Sequence, residues 1–163
     1  MKKQIRRLSL ILIALSFSTP LFAKDLTNRL GVGYANPFSF DLPSVALHYH
    51  PSSKTSLAGI IGIDTADDFS KFGLMFKFFR TIFEEQNMNF LMGGSAAAIS
   101  VENAGKSESG FEINALIAAE FFFTGLDSLA FRFETGVGIV SLDGVSFRTI
   151  GSSPLHAGII FYF

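Results

Sequence analysis

The sequence predicts an all-β fold, an eight-stranded antiparallel up-and-down transmembrane β-barrel preceded by a cleaved signal peptide. Three observations predict it. The chain opens with basic residues followed by an apolar segment, and the remainder alternates with a period of two between large apolar residues and small or charged ones. Turn residues divide this remainder into eight strands with no helical spacing between them, a pattern typical of an up-and-down barrel.

The first element is the signal peptide. Four basic residues precede an apolar stretch that runs from Leu8 to about Phe17 and is followed by Ser, Thr and Pro. A spanning helix needs roughly 20 apolar residues, so a secretory signal is the better interpretation. We expect cleavage after Ala23, which divides the chain into a signal peptide at 1–23 and a barrel domain at 24–163.

Charge and cysteine content limit the function of the mature chain. Four of the 13 basic residues leave with the signal, and the nine that remain are outnumbered by 14 acidic residues. This balance argues against a nucleic-acid partner, which would need a basic face. The chain has no cysteine, so its stability cannot depend on disulfides.

The strands follow from alternation. The clearest case is the run from Leu129 to Ile139, where Leu, Phe, Val and Ile lie on one face while Ala, Arg, Glu and Gly lie on the other. Similar runs end at Phe79, Phe123 and Phe163. The eight predicted strands cover 28–36, 43–50, 55–64, 70–80, 87–100, 110–123, 129–140 and 153–163.

Alternation alone does not say which face points outward. A soluble barrel would have a second face rich in Lys, Glu, Gln and Thr. Here the second face is instead dominated by Gly, Ala and Ser with scattered charges, for example Gly31, Ala46 and Gly73. Small residues suit a crowded lumen, and Phe, Leu and Ile suit lipid. We therefore expect the apolar face to point outward.

The chain resembles the small eight-stranded bacterial outer-membrane barrels of the OmpA/OmpX type. The resemblance depends on the signal, the eight strands and the ending Ile159-Ile-Phe-Tyr-Phe163, in which Ile159, Phe161 and Phe163 are similar to a C-terminal assembly signal. It implies the bacterial cell outer membrane as the location, and outer-membrane lipids and the barrel-assembly machinery as partners. It also implies outer loops near 37–43, 65–69, 101–109 and 141–152, with both termini in the periplasm.

Charged residues on the lumen face form the candidate site. If the turn after Phe123 brings Phe123 opposite Leu129, then Glu120 lies opposite Arg132, and a similar count places Asp64 opposite Lys71 near the outer mouth. Paired charges of this kind offset the cost of burying a charge. We predict a structural lumen cluster, rather than an ion path, made of Asp64, Lys71, Lys77, Glu112, Glu120, Arg132 and Glu134.

Two other sets of polar residues could form a metal site or a catalytic site. His48 and His50 share one strand face, a spacing that can hold a metal, but no third ligand is evident and we predict no metal and no cofactor. His156 lies near Ser152, Ser153 and Asp143, the ingredients of nucleophilic catalysis, but without the local sequence patterns of barrel enzymes.

The sequence therefore predicts a structural or surface-interaction barrel with a side-chain-filled lumen, not an open porin and not an enzyme. Two alternatives stay open at this point: an outer-membrane lipid-modifying enzyme, and a soluble ligand-binding barrel in the periplasm. The sequence does not name an external ligand.

Overall fold

The fold was analysed in a computed structural model, which describes residues 25–163 apart from residue 68 and residues 151–153. The predicted signal peptide at 1–23 lies outside these residues. The described chain forms nine strands: β1 (Leu30–Ala35), β2 (Ser44–Ser52), β3 (Thr55–Ala66), β4 (Phe69–Glu85), β5 (Met88–Asn103), β6 (Lys106–Phe122), β7 (Leu129–Ser141), β8 (Val145–Thr149) and β9 (His156–Tyr162).

These strands form a closed antiparallel barrel with eight strand positions. Each strand from β1 to β7 pairs with the next, and β9 closes the barrel by pairing with both β7 and β1. β8 and β9 share the eighth position, because β8 pairs with the outer part of β7 and β9 pairs with its beginning. The predicted eight-stranded antiparallel barrel is confirmed.

The predicted last strand and the loop before it need correction. The sequence predicts a loop over 141–152 and one strand over 153–163, whereas β8 lies inside that loop and continues the ladder on β7. The register on β7 changes between β8 and β9, so extra residues separate the two strands. This strand alternates between apolar and polar residues over only five positions, which is too short for the sequence pattern to identify it.

The predicted outer loop at 101–109 is also mostly strand. β5 and β6 stay paired up to Asn103 and Lys106, which leaves a two-residue turn at Ala104 and Gly105. Both turn residues have positive φ, 48° and 78°, as the tightest β-hairpin turn requires. This hairpin therefore projects beyond the barrel wall as paired strand.

The apolar face points outward, as the sequence predicts. Leu47 and Phe76 are 61% and 56% exposed, while their neighbours Ala46 and Met75 are buried in the lumen. On β7 the outward apolar series runs from Leu129 to Ile139. Ten residue steps of about 3.3 Å, tilted by about 40°, give a belt roughly 25 Å tall. A soluble barrel with an apolar interior would show the reverse pattern.

In the part of the chain that the structure describes, no helix is long and apolar enough to cross a membrane.

The lumen is filled from both ends. At the end that holds the termini, Leu26 is buried against Phe122 and Tyr162. At the opposite end the segment 36–43 folds into the lumen, where Phe38 and Leu42 are fully buried. We call residues 36–43 the plug segment. The sequence predicts an outer loop near 37–43, so its insertion into the lumen is a correction.

The barrel wall is uneven in height. β4, β5 and β6 are 17, 16 and 17 residues long, whereas β1 and β2 have 6 and 9. The two short strands stop at Ala35 and Ser44, where the plug segment turns inward. The end of the barrel opposite the termini therefore has a high wall at β4–β6 and a low side next to β1.

Candidate functional site

Arg132 is the centre of the polar lumen. This buried side chain donates from Nη2 to Glu120 Oε1 at 2.9 Å, and its Nη1 lies 3.9 Å from Glu134 Oε1. The guanidinium carbon lies 5.4 Å from the centre of the Phe79 ring. Glu120 and Arg132 are directly opposite one another on β6 and β7, in the register that the turn count predicts.

A second ion pair crosses the lumen. Lys77, on β4, donates a hydrogen bond to Glu134 Oε2 on β7, and both side chains are buried. Two carboxylates, on Glu120 and Glu134, therefore face two cations, on Lys77 and Arg132. Because the charges balance and lie in contact, each offsets the desolvation cost of its partner.

Two histidines and a tyrosine extend the network toward the end of the barrel that holds the termini. Arg132 Nη1 donates to His48 Nδ1 at 3.3 Å, so this nitrogen is the acceptor, since arginine has only donors. Tyr162 donates its hydroxyl proton to Glu120 Oε1 at 2.7 Å, and the same hydroxyl lies 3.1 Å from His50 Nε2. Both histidines of the candidate metal site thus contact this network.

The arrangement is chemically a set of buried ion pairs and hydrogen bonds, in which Glu120 Oε2 and Arg132 Nε have no hydrogen-bond partner among the described residues. We call the seven side chains the lumen network: His48, His50, Lys77, Glu120, Arg132, Glu134 and Tyr162. In the described ranges, no group of three or more His, Cys, Asp or Glu side chains could hold a metal ion. Ion pairs connect β4, β6 and β7 across the lumen, and hydrogen bonds of the histidines and Tyr162 add β2 and β9, so these strands are fixed relative to one another.

The plug segment is held by side chains from three strands. The backbone N–H of Ser39 donates to Glu112 Oε1 on β6 at 2.8 Å, and the Ser39 carbonyl accepts from Arg148 Nη2 on β8 at 3.0 Å. Lys71 Nζ, on β4, donates to the carbonyl oxygen of Asp41 at 3.0 Å. These bonds replace the strand pairing that this backbone lacks, because a buried backbone group needs a partner.

The plug segment is also braced internally. The Asn36 side chain donates to the Asp41 carboxylate and accepts from the Leu42 backbone N–H at 3.0 Å. Phe38 and Phe40 stack with ring centres 6.1 Å apart. Two side-chain hydrogen bonds and a stacked aromatic pair make this short segment a defined structure.

Two glycines in the barrel wall, Gly62 and Gly73, lie against the plug segment. A Cβ atom added at Gly73 would lie 2.5 Å from the Phe38 ring, and one at Gly62 would lie 2.7 Å from Leu42. No larger residue fits at either position while the plug is seated. The small lumen-facing residues that the sequence analysis attributes to a crowded lumen therefore make room for the plug.

The pairing of Asp64 with Lys71 is confirmed, whereas their predicted place in the lumen cluster needs correction. The two residues are opposite one another on β3 and β4, but Asp64 is exposed and Lys71 is only partly buried. Lys71 donates to the Asp41 carbonyl and lies over the Phe69 ring, with 4.7 Å from Nζ to the ring centre. β2 ends opposite Gly62, so position 64 projects past the enclosed lumen.

The C-terminal residues close the barrel. Ile159, Phe161 and Phe163 are exposed on the outer face of β9 and just beyond it. The backbone of Phe163 donates to Leu30 O at 2.9 Å and accepts from Leu30 N at 3.3 Å. The last residue therefore completes the ladder between the final strand and the first.

Of the residues considered for nucleophilic catalysis, the structure describes His156 and Asp143. His156 is buried in the lumen and its Nε2 lies 3.1 Å from the carbonyl oxygen of Ile150. Asp143 is exposed in the turn between β7 and β8, and Ser152 and Ser153 lie outside the described residues. A carbonyl oxygen accepts only, so His156 Nε2 is a donor engaged by the backbone.

Sequence reasoning misses how the lumen is sealed. Leu26, Phe38, Leu42 and Ile150 are all buried, but each lies outside the alternating segments that define strands. Prolines at 37 and 43 lie near the two ends of the plug segment and mark where strand pairing stops, because proline cannot donate to a ladder. That signal shows where the strands end, not that the segment turns inward.

Comparison with known proteins shows the fold. No protein-family model and no curated protein sequence matches the chain. The N-terminal β-barrel domain of OprF from Pseudomonas aeruginosa is similar in structure, with a TM-score of 0.54 and 13% identity over 84% of this chain and 98% of that one. Neisserial surface protein A, NspA, gives a TM-score of 0.55 and 12% identity over 83% and 95%.

The chain therefore has the fold of small eight-stranded outer-membrane β-barrels, with an apolar exterior, buried ion pairs in the lumen and a plug at the end opposite the termini.

Proposed function

We propose that this protein is an integral barrel of the bacterial outer membrane with a sealed lumen, and that it has a structural or surface-interaction role. The proposal is supported by the orientation of the apolar and the polar strand faces. Large apolar side chains cover the exterior, and charged side chains such as Lys77 and Arg132 are buried inside. Lipid is the solvent that favours such an exterior.

A location in the outer membrane also implies a signal peptide and specific partners. We propose that residues 1–23 are a signal peptide removed after Ala23, and that outer-membrane lipids and the barrel-assembly machinery are the partners of the mature chain. The exposed series Ile159, Phe161 and Phe163, which completes the ladder to β1, supports a role of the C-terminus in assembly.

A sealed lumen predicts that the protein does not conduct. The lumen network fills the middle of the barrel, and Leu26 and Phe38 are buried at its two ends. Eight strands leave an interior just wide enough for side chains. In planar bilayers the purified protein should give no stepwise channel currents, with an open porin as the positive control. Regular single-channel steps would contradict the sealed-lumen proposal.

We propose that the protein is not an enzyme. His156 is the histidine nearest in sequence to Ser152 and Ser153, and its Nε2 is engaged by the Ile150 carbonyl within the lumen. A catalytic base must reach the proton that it removes, so a histidine held in this way is poorly placed to activate a hydroxyl at the surface.

Deleting Phe163 should impair assembly. The deletion removes two backbone hydrogen bonds to Leu30 and the last outward aromatic side chain, so the closing pair of strands is weakened. We expect the amount of folded barrel in the membrane, measured by the heat-dependent mobility shift on gels, to fall several-fold. Asp67→Ala, a substitution of an exposed residue in the turn between β3 and β4, is the control. Equal barrel levels in both variants would contradict the assembly role.

A further inference from the structure

We propose that Arg80, on the outer face of β4, binds the phosphate of a phospholipid in the surrounding membrane. From Phe72 to Ile82, the outward positions of β4 hold Phe, Leu or Ile at every place except this one. Arg80 is therefore a cation within the apolar belt, where a charge is costly unless it reaches a polar partner. The site rests on the membrane location proposed above.

Arg80 lies on the side of the belt that is closer to the termini. It is five residues from the end of β4 and eleven from its beginning, and β4 ends on the side of the barrel that holds the termini. Apolar residues continue past it, because Ile82 and Phe83 are both exposed and Phe83 stacks on Phe90 of β5. An arginine in this position keeps its aliphatic stem in hydrocarbon and extends its guanidinium to the head groups.

The turn between β2 and β3 places polar groups beside Arg80. β3 begins at Thr55, which lies directly opposite Arg80 in the ladder. The next residue of β4, Thr81, donates its backbone N–H to the Lys54 carbonyl at 2.9 Å and its hydroxyl to the Ser53 carbonyl at 3.3 Å. These bonds fix the turn next to Arg80. On this side of Arg80, the barrel wall therefore ends in polar residues.

The charges in this region leave one cation for a ligand. Lys54 Nζ donates to Glu84 Oε1 at 3.0 Å, so these two charges offset one another. Among the described residues, none forms an ion pair with Arg80. A phosphodiester carries a single negative charge and would make the region neutral. We call Lys54, Thr55, Arg80 and Glu84 the lipid corner.

The surface next to the lipid corner favours a phospholipid over a soluble phosphate compound. Phe78, two residues before Arg80 on β4, and Met92, opposite Arg80 on β5, are 50% and 48% exposed. They give the lipid chains an apolar contact at the point where the guanidinium binds the phosphate. A guanidinium suits this ligand because two of its N–H groups can donate to two phosphate oxygens at once.

Lipid binding by the full mature chain tests the site. The protein is purified in neutral detergent and titrated with phosphatidylglycerol, and bound lipid is counted by native mass spectrometry. Dioleoylglycerol, which lacks the phosphate, should bind at least about tenfold more weakly, because charge-assisted hydrogen bonds are lost. Arg80→Gln should reduce phosphatidylglycerol binding to the dioleoylglycerol level. Lys106→Gln removes an exposed cation at the other end of the barrel and should leave binding unchanged.

A second variant should change binding in the opposite direction. Glu84→Gln removes the carboxylate of the lipid corner and leaves both cations, so phosphatidylglycerol binding should tighten several-fold. Both Arg80→Gln and Glu84→Gln should keep the heat-dependent mobility shift of the parent in detergent without phospholipid, which separates binding from folding. Equal binding of the two lipids, unchanged phosphatidylglycerol binding in Arg80→Gln, or weaker binding in Glu84→Gln would overturn the site.

Competition identifies the source of the phosphate. Glycerol 3-phosphate should compete only at concentrations far above those at which phosphatidylglycerol binds, because it gains nothing from the apolar surface at Phe78 and Met92. Competition at equal concentration would overturn the lipid and leave a soluble phosphate compound as the ligand. Loss of the site in a chain that fractionates with the outer membrane would refute the site alone, whereas recovery of the chain in the soluble fraction would refute the proposed location.

Discussion

Replacing Arg132 by methionine should destabilise the barrel by about 3–5 kcal/mol, the usual cost of removing one partner from a buried ion pair. The substitution leaves the Glu120 carboxylate with Tyr162 as its remaining partner and removes one of the two cations beside Glu134. The folded barrel should therefore lose its heat resistance at a lower temperature, and should unfold at a lower urea concentration in detergent.

Two further variants test whether the loss of stability comes from removing the buried charge. Arg80→Met changes an exposed arginine of β4 and should alter stability by less than about 1 kcal/mol, since an exposed charge contributes little. Glu120→Gln in the Arg132→Met background should recover part of the loss, because it removes the stranded charge. Heat resistance of Arg132→Met equal to that of the parent would show that the lumen network is not important for stability.

Replacing Gly73 by valine should expel the plug from the lumen. A Cβ at this position would lie 2.5 Å from the Phe38 ring, and valine adds two further methyl groups in the same space. The ring must move, and overpacking a tight site costs about 1–3 kcal/mol. We expect chymotrypsin, added outside intact cells, to cleave after Phe38 or Phe40 in this variant and not in the parent.

Gly59→Val is the matched control, because Gly59 lies on the neighbouring strand β3 and a Cβ there meets nothing within 4 Å. A β-branched residue suits a strand, so this variant should keep its plug and its resistance to chymotrypsin. If Gly73→Val resists cleavage as well as Gly59→Val does, the contact between Gly73 and Phe38 does not hold the plug in place.

Much of the fold follows from a period of two in the sequence. Alternation identifies β4 to β7, with each end within five residues of the observed one. It also assigns the apolar face to the exterior, because the residues on the other face are mostly small. The register of Glu120 with Arg132 follows from the same counting, since a short turn fixes the pairing of the strands that it joins.

What the sequence does not predict is structure that departs from this period. β8 has five residues, so its alternating pattern is too short to reveal it. The plug segment has apolar residues at 38, 40 and 42 that fit a strand equally well. Only the early end of β1 and β2, and the space left by Gly62 and Gly73, place Phe38 and Leu42 inside the lumen.

The candidate site was only partly predictable for the same reason. Lys77, Glu112, Glu120, Arg132 and Glu134 all face the lumen by parity and are buried in the structure. Asp64 has the same parity, but it lies beyond the point where the neighbouring strand β2 ends. Parity alone therefore does not show which residues near the mouth are enclosed in the lumen. The contact of Tyr162 with Glu120 joins β9 to β6, across the lumen, which strand pairing does not reveal.

The central claim is that the apolar exterior faces the outer membrane. Separation of cell membranes on a sucrose density gradient, with an antibody against the chain, tests it most directly. The protein should band with the dense outer-membrane fraction, remain there after a high-salt wash and be released only by detergent. Recovery of the mature chain in the soluble periplasmic fraction without detergent would contradict this account.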